Sequence, residues 1–346
     1  MDLGKHKPPY GVSMVVPCLK LPGFGALSEW SKLADEVCLI MKSNTTLPEI
    51  ESSQKVRIYP QKKPGLSGAL NQGIESAKYL YVRRMDSTDR ISSGSIEKQI
   101  ALIEENDFDL VYDLAKNRVR GFAFQPFIGK PAGHIVPCWA FIFCNPVIHP
   151  GVLGSRSWFI NNPYQNVINE DFELWTRTAL STSIYCTGTV GLEYARSATQ
   201  KSASITFNSS DLAILTKNIR NIIESEFSFE VSNELLQIWV SAIFSKNKSK
   251  KLVNSDNFWI FMKMFTQLKS KTLDMPKSVR CYYENYLLIA KLRFIFRTHI
   301  HSRYRIKLLF ENFGIHEFRI LSILFIKRIW LAVFIKLDYL INRSSI

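Results

Sequence analysis

The chain has 346 residues, 46% of them hydrophobic and 21% charged, with a formal net charge of +14. That hydrophobic content excludes a mainly disordered chain, and the length leaves room for one large domain and a smaller one. The charge is uneven. Residues 1–200 hold 21 Lys/Arg and 19 Asp/Glu, whereas residues 201–346 hold 23 and 11. The basic half needs an anionic partner or a solvated face, and anionic lipid and nucleic acid are the two obvious partners.

In chain order, residues 12–16, 37–41 and 56–59 are β-branched apolar runs that read as strands. Residues 66–78 read as a helix opened by Gly65, 79–85 as a strand, 95–105 as a helix and 110–112 as a short strand. The apolar run CWAFIFC at 138–144 reads as a further strand. Strands alternating with helices predict an α/β fold with a mostly parallel sheet flanked by helices, whose ligands lie at the carboxyl ends of the strands. Beyond residue 205 helical spacing takes over, at 211–224, 233–244 and 279–296, with a lysine-rich loop at 246–251. The expected division is a catalytic-type domain over 1–205 and a helical, basic region over 206–346.

Residues 318–341 are apolar and long enough to resemble a membrane span, but Lys327 and Arg328 lie at their middle. Each central cation costs ~3 kcal/mol on insertion, and each large apolar residue returns only ~0.5 kcal/mol. A buried helix, a peripheral membrane contact and a true span all stay open. The six cysteines, Cys18, Cys38, Cys138, Cys144, Cys186 and Cys281, form no CxxC pair. They read as structural thiols in a reducing compartment. The N-terminal MDLGKHKPPYG has no apolar signal core, so export is not expected.

Three constellations stand where chemistry is expected. GLSGALNQG, Gly65 to Gly73, offers close backbone approach and a helix N-terminus to an anion, or simply packs a helix on a sheet. YVRRMDSTD, Tyr81 to Asp89, runs an apolar strand into Asp86 and Asp89 beside Arg83 and Arg84. Such carboxylates suit a divalent cation held against a diphosphate, and equally an acidic turn before a helix. NEDFELWTRTA, Asn169 to Ala179, reads as a helix capped by Asn169, with Glu170 and Asp171 in its first turn. A first-turn acid suits the helix dipole as well as it suits a base.

Taken in order and at this spacing, the three segments resemble the family 2 glycosyltransferases of the GT-A nucleotide-sugar-binding fold. GLSGALNQGIESAKYLYVRRMDSTD is similar to that family's run of Gly-rich helix, strand and Asp-rich turn. NPVIHP (Asn145 to Pro150), EDFELWTR (Glu170 to Arg177) and VSMVVPCLK (Val12 to Lys20) are similar to its later and earlier segments. The resemblance covers about residues 10–185. It implies that Pro17 borders the nucleotide base, that Gly65, Asn71 and Gly73 shape the nucleotide pocket, and that Arg84 lies near the diphosphate. It implies Asp86 and Asp89 for Mn²⁺ or Mg²⁺, Asp171 as general base with Glu170 beside it, and His149 and Trp175 at the sugar or acceptor. In this sequence Thr88 stands at the third place of the acidic turn, Lys42 and Ser43 end the second strand, and Leu19 and Lys20 follow Pro17.

The resemblance implies an inverting, metal-assisted transfer from a nucleotide-sugar, a UDP-sugar by expectation, to a saccharide acceptor. A lipid-linked acceptor of O-antigen, capsule or exopolysaccharide synthesis would place the chain in the cytoplasm, peripheral to the inner face of the membrane. A non-catalytic GT-A scaffold that binds a partner is the alternative. A nucleic-acid partner is not expected, because no recognisable binding module accompanies the basic residues. The enzymatic reading requires the acidic turn at 86 and the acidic helix start at 171 to face one another.

Overall fold

A computed structural model describes residues 8–42, 55–119, 122–124, 131–195, 207–227, 230–245, 252–253 and 255–300. In chain order the elements are β1 (Val12–Cys18), α1 (Phe24–Leu33), β2 (Glu36–Met41), β3 (Val56–Pro60), α2 (Gly65–Ser76), β4 (Tyr81–Arg84), β5 (Arg90–Ile91), α3 (Ser95–Asn106) and β6 (Leu110–Val119). There follow β7 (Phe122–Phe124), β8 (His134–Ile135), a 3₁₀ turn (Cys138–Ile142), β9 (Leu153–Ser155), α4 (Arg156–Asn161), α5 (Glu170–Thr178) and β10 (Ile184–Ala195). The chain continues through α6 (Ser209–Glu226), α7 (Asn233–Phe244), β11 (Leu252–Val253), α8 (Ser255–Thr272), α9 (Lys277–Arg297) and β12 (His299–Ile300).

The chain forms two compact units. The first comprises Met1–Lys116 and Val147–Ala195, and the second Asn117–Pro146 and Arg196–Ile346. This differs from a single boundary near residue 205, because residues 117–146 group with the C-terminal helices. In the second unit the indole of Trp239 donates to the Ile142 carbonyl at 2.7 Å, and Cys138 donates to Glu226 at 3.2 Å. Contacts across such sequence separations leave no local trace in the sequence.

In the first unit the strand order is β3-β2-β1-β4-β9-β6-β10-β5. The fold is α/β as expected, but the sheet is mixed rather than mostly parallel. β3, β2, β1 and β4 run parallel, and β9 turns the direction by pairing antiparallel with both β4 and β6. β1 and β2 are buried on both faces, which explains their largely apolar sequences. Trp30 of α1 is fully buried in the core formed with Met14, Val16, Leu39 and Leu153. On α2, a Cβ at Gly73 would stand 2.4 Å from Val15 Cγ1, so only glycine lets this helix sit so close to β1.

Two buried polar clusters tie the layers. Glu36 accepts from Ser13 Oγ at 2.7 Å and Lys78 N at 2.9 Å, and pairs with Arg57 at 3.2 Å. Arg83, fully buried, donates to Gln99 of α3, whose amide nitrogen donates to the Gly151 carbonyl at 3.0 Å. Asp113 of β6 accepts from Ser95 and from Thr187 Oγ1. Burial lowers Arg83 to about 10, with Asp113 and Glu97 opposing the shift, and the side chain therefore remains a cation at neutral pH.

In the second unit α6, α7 and α9 appear where helical spacing predicts them, and Asn208 and Ser232 cap the first two. Trp239 is fully buried and packs against Phe261 and Phe294. The run at 138–144 is a 3₁₀ turn and not a strand. Trp139 to Cys144 are all buried, and an apolar run buried on every side does not distinguish strand from helix. Among the described residues no helix is long and apolar enough to cross a membrane. The segments 246–251 and 318–341 lie outside the described residues. All six cysteines are free thiols, and burial lifts Cys18 to about 12, with the Asp86 charge adding to the shift.

Candidate active site

β4 closes the parallel half of the sheet, beside antiparallel β9, and delivers Arg84, Met85 and Asp86 at its carboxyl end. The turn carrying His149 is pinned to the same strand end. Arg84 N donates to the Val152 carbonyl at 3.0 Å, and Gly151 N donates to the Arg84 carbonyl at 2.8 Å. The helix start of α5 brings Glu170 and Asp171 to His149, and ligand atoms of the three lie within 4.8 Å of one another. His149 Nδ1 stands 3.9 Å from Glu170 Oε1. Asn169 occupies the N-cap position with φ 63° and makes no side-chain cap, so α5 starts without the cap its sequence suggests. Its first-turn acids are as expected.

Arg84 joins the two acidic groups. Its Nη2 lies 2.8 Å from Asp86 Oδ1. Burial alone would lower its pKa, but Asp86, Tyr164, Glu170 and Asp89 together outweigh burial and raise it. Only 5% of Arg84 is exposed, and its Nε and Nη1 have no hydrogen-bond partner among the described residues. A buried guanidinium with unpartnered N–H groups keeps hydrogen-bonding capacity that an anion reaching it would use. Burial and the Asp171 charge push Glu170 up to about 7, against the opposing pull of Arg84 and with a further push from Asp86. The acidic turn and the acidic helix start therefore lie within electrostatic reach of each other. His149 is buried, and burial followed by the Arg84 charge lowers it well below the usual imidazole value, so the ring is neutral.

The expected site residues divide by location. Arg84, Asp86, His149, Glu170 and Asp171 come together. Asp89 is 2% exposed, its Oδ1 accepting from Ala195 N at 2.8 Å, and its charge still reaches Arg84. Thr88 is exposed. Trp175 is fully buried and meets His149 edge-on at 5.9 Å, so it supports the imidazole and presents no face to a sugar. Asn71 Nδ2 donates to the Tyr164 carbonyl at 2.8 Å and its Oδ1 accepts from Tyr164 N at 2.9 Å. Its polar atoms hold a loop, and Gly73 serves helix–sheet packing. Gly65 opens α2, exposed, with φ +84°. Pro17 is half-buried at the end of β1 beside Ile40.

Tyr164 is a site residue that no sequence motif marks. Only the turn-forming Asn-Pro before it sets it apart, and that signals a loop rather than a function. Its hydroxyl lies 2.9 Å from His149 Nε2, and Asn71 and Ser67 of α2 hold the loop that carries it.

Oxygen donors from Asp86, one-third exposed, suit a hard divalent cation that takes one or two carboxylates and completes its shell with phosphate oxygens. The donor set therefore fits such an ion on Asp86. Asp89 has its Oδ1 engaged by Ala195 N.

Residues 34–128 match the family model Glycosyl transferase family 2. An uncharacterised glycosyltransferase of Rickettsia felis is 28% identical over 138 residues, covering 39% of this chain and 23% of that protein. One of Haemophilus influenzae is 27% identical over 167 residues, covering 44% of this chain and 61% of the other. The chain thus spans less than two thirds of the length of either relative. The crystal structure of S. aureus TarS 1-349 in complex with UDP-GlcNAc is 14% identical, with a TM-score of 0.47 over 85% of this chain and 89% of that one. The matched stretch holds β2 through β6, the strands and helices that deliver Arg84 and Asp86, and this part of the chain is similar to the family 2 glycosyltransferases.

Proposed function

We propose that the chain transfers a sugar from a nucleotide-sugar, a UDP-sugar by this reading, to a saccharide acceptor with inversion of the anomeric centre. The observation that carries the reading is Arg84: a buried cation with two unpartnered nitrogens, paired with Asp86 and within electrostatic reach of Glu170. Arg84 binds the diphosphate and offsets its charge. Asp86 would hold a divalent ion, Mn²⁺ or Mg²⁺, whose charge would stabilise the departing nucleoside diphosphate. Asp171 takes the proton of the acceptor hydroxyl as that oxygen attacks the face opposite the leaving group. Glu170, uncharged over much of the acid range, keeps a second negative charge away from that base. His149 and the aromatic residues behind it wall the inner side of the carboxylates.

A lipid-linked acceptor of O-antigen, capsule or exopolysaccharide assembly fits the basic C-terminal half. Each cation near an anionic membrane surface gains about 1 kcal/mol. The chain would then work at the cytoplasmic face, peripheral to the membrane. The test is a panel of nucleotide-sugars with Mn²⁺ or Mg²⁺ on wild type and Asp171→Asn. Turnover by wild type that Asp171→Asn loses supports the assignment, and equal turnover by both removes Asp171 as base. A second reading, a GT-A scaffold without catalysis, is favoured by Asp89 being engaged by Ala195 and by Thr88 in place of a carboxylate. Calorimetry with UDP separates the two, because a scaffold shows no Mn²⁺-dependent binding.

A further inference from the structure

His149 is neutral and buried, so its ring carries one proton and the choice of nitrogen decides what it presents to each neighbour. Nε2 faces the Tyr164 hydroxyl at 2.9 Å, and Nδ1 faces Glu170 at 3.9 Å. The Tyr164 phenol is raised above its usual value by burial, so it keeps its proton, and it feels the Arg84 charge. A cation beside a phenol draws the oxygen lone pairs towards itself and turns the O–H away. The hydrogen-bond partner of that hydroxyl is Nε2 at 2.9 Å, which then accepts.

We propose that Tyr164 is a positioning residue: its hydroxyl, oriented by Arg84, donates to His149 Nε2 and thereby fixes the imidazole with its proton on Nδ1, facing Glu170. The backbone supports the assignment. Asn71 grips both polar atoms of the Tyr164 backbone, and Ser67 Oγ donates to the Gln165 carbonyl at 2.7 Å. The glycine-rich helix α2 thus sets the loop, the loop sets Tyr164, and Tyr164 sets His149. The 3.9 Å gap from Nδ1 to Glu170 exceeds a hydrogen bond, so the Nδ1 proton faces the carboxyl across the gap and favours its oxygen electrostatically.

The proposal rests on the transferase reading only in its kinetic part. The direct test is ¹⁵N NMR of the full chain labelled at histidine, with His149→Asn identifying the resonances of interest. Wild type is expected to show a neutral His149 protonated at Nδ1. Tyr164→Phe is expected to move the proton to Nε2 or mix the two forms. A wild-type His149 protonated at Nε2 overturns the proposal outright, whatever becomes of the variant. An unchanged tautomer in folded Tyr164→Phe overturns it equally. Where turnover is available, loss of this one hydrogen bond should lower kcat roughly five- to tenfold. Donor KM should stay unchanged. A loss confined to KM would refute the positioning role while leaving the glycosyltransferase reading intact.

Discussion

Replacing Glu170 with Gln tests the electrostatics of the site without reference to any substrate. In the folded chain burial and the neighbouring Asp171 raise Glu170 from 4.5 to about 7. A folded pKa above the unfolded one means that the folded state binds the extra proton between these limits. The contribution to stability is therefore complete below about 4.5 and is lost as pH rises through about 7. Carrying a carboxyl over that interval corresponds to about 3 kcal/mol, since each pH unit is worth about 1.4 kcal/mol. Glu170→Gln keeps the neutral shape and removes the titration. Urea unfolding of both proteins at pH 5 and pH 8 provides the measurement. The variant should match wild type within about 1 kcal/mol at pH 5 and exceed it by up to about 3 kcal/mol at pH 8. Parallel pH dependence in the two proteins would show that Glu170 does not titrate in this environment.

Gly73→Ala places a Cβ 2.4 Å from Val15 Cγ1 and 3.2 Å from Ile40, and should cost about 1–3 kcal/mol in urea midpoint analysis through overpacking. Asn71→Ala removes both side-chain bonds to Tyr164 and should cost about 1–3 kcal/mol. Hydrogen exchange should report faster opening at Tyr164 N, and unchanged protection there would refute the clamp. Trp175→Ala empties a fully buried site and should cost about 3–5 kcal/mol. A loss of donor affinity without loss of stability would instead return Trp175 to the substrate. Asp86→Asn leaves the helices and strands in place and should abolish Mn²⁺-dependent UDP binding in calorimetry, whereas Asp89→Asn should act mainly through the Ala195 contact, on stability.

Several helices and strands were legible because their signals are local. α7 begins and ends at 233 and 244 as its spacing predicts, and α2 follows its opening glycine. α1, α8 and β10 were not foreseen, and the aromatic run at 138–144 took the wrong element type because uniform burial erases periodicity. At the site, Asp86, Glu170 and Asp171 were visible as acids at a strand end and a helix start. Asn71 and Trp175 belong to the same motifs, yet one holds a loop and the other lies in the core.

The order of segments along this chain determined the α/β class, the parallel run through β1 to β4, and the two acidic clusters, since each follows from burial on both faces or from residues a few positions apart. Only the tertiary structure decided which carboxylate is engaged, which aromatic ring is buried, and that Tyr164 reaches His149. The reason is physical: Asp89 meets Ala195 over 106 positions and Asn71 meets Tyr164 over 93. Distances of that kind are set by sheet order and helix docking, and no residue carries them by itself.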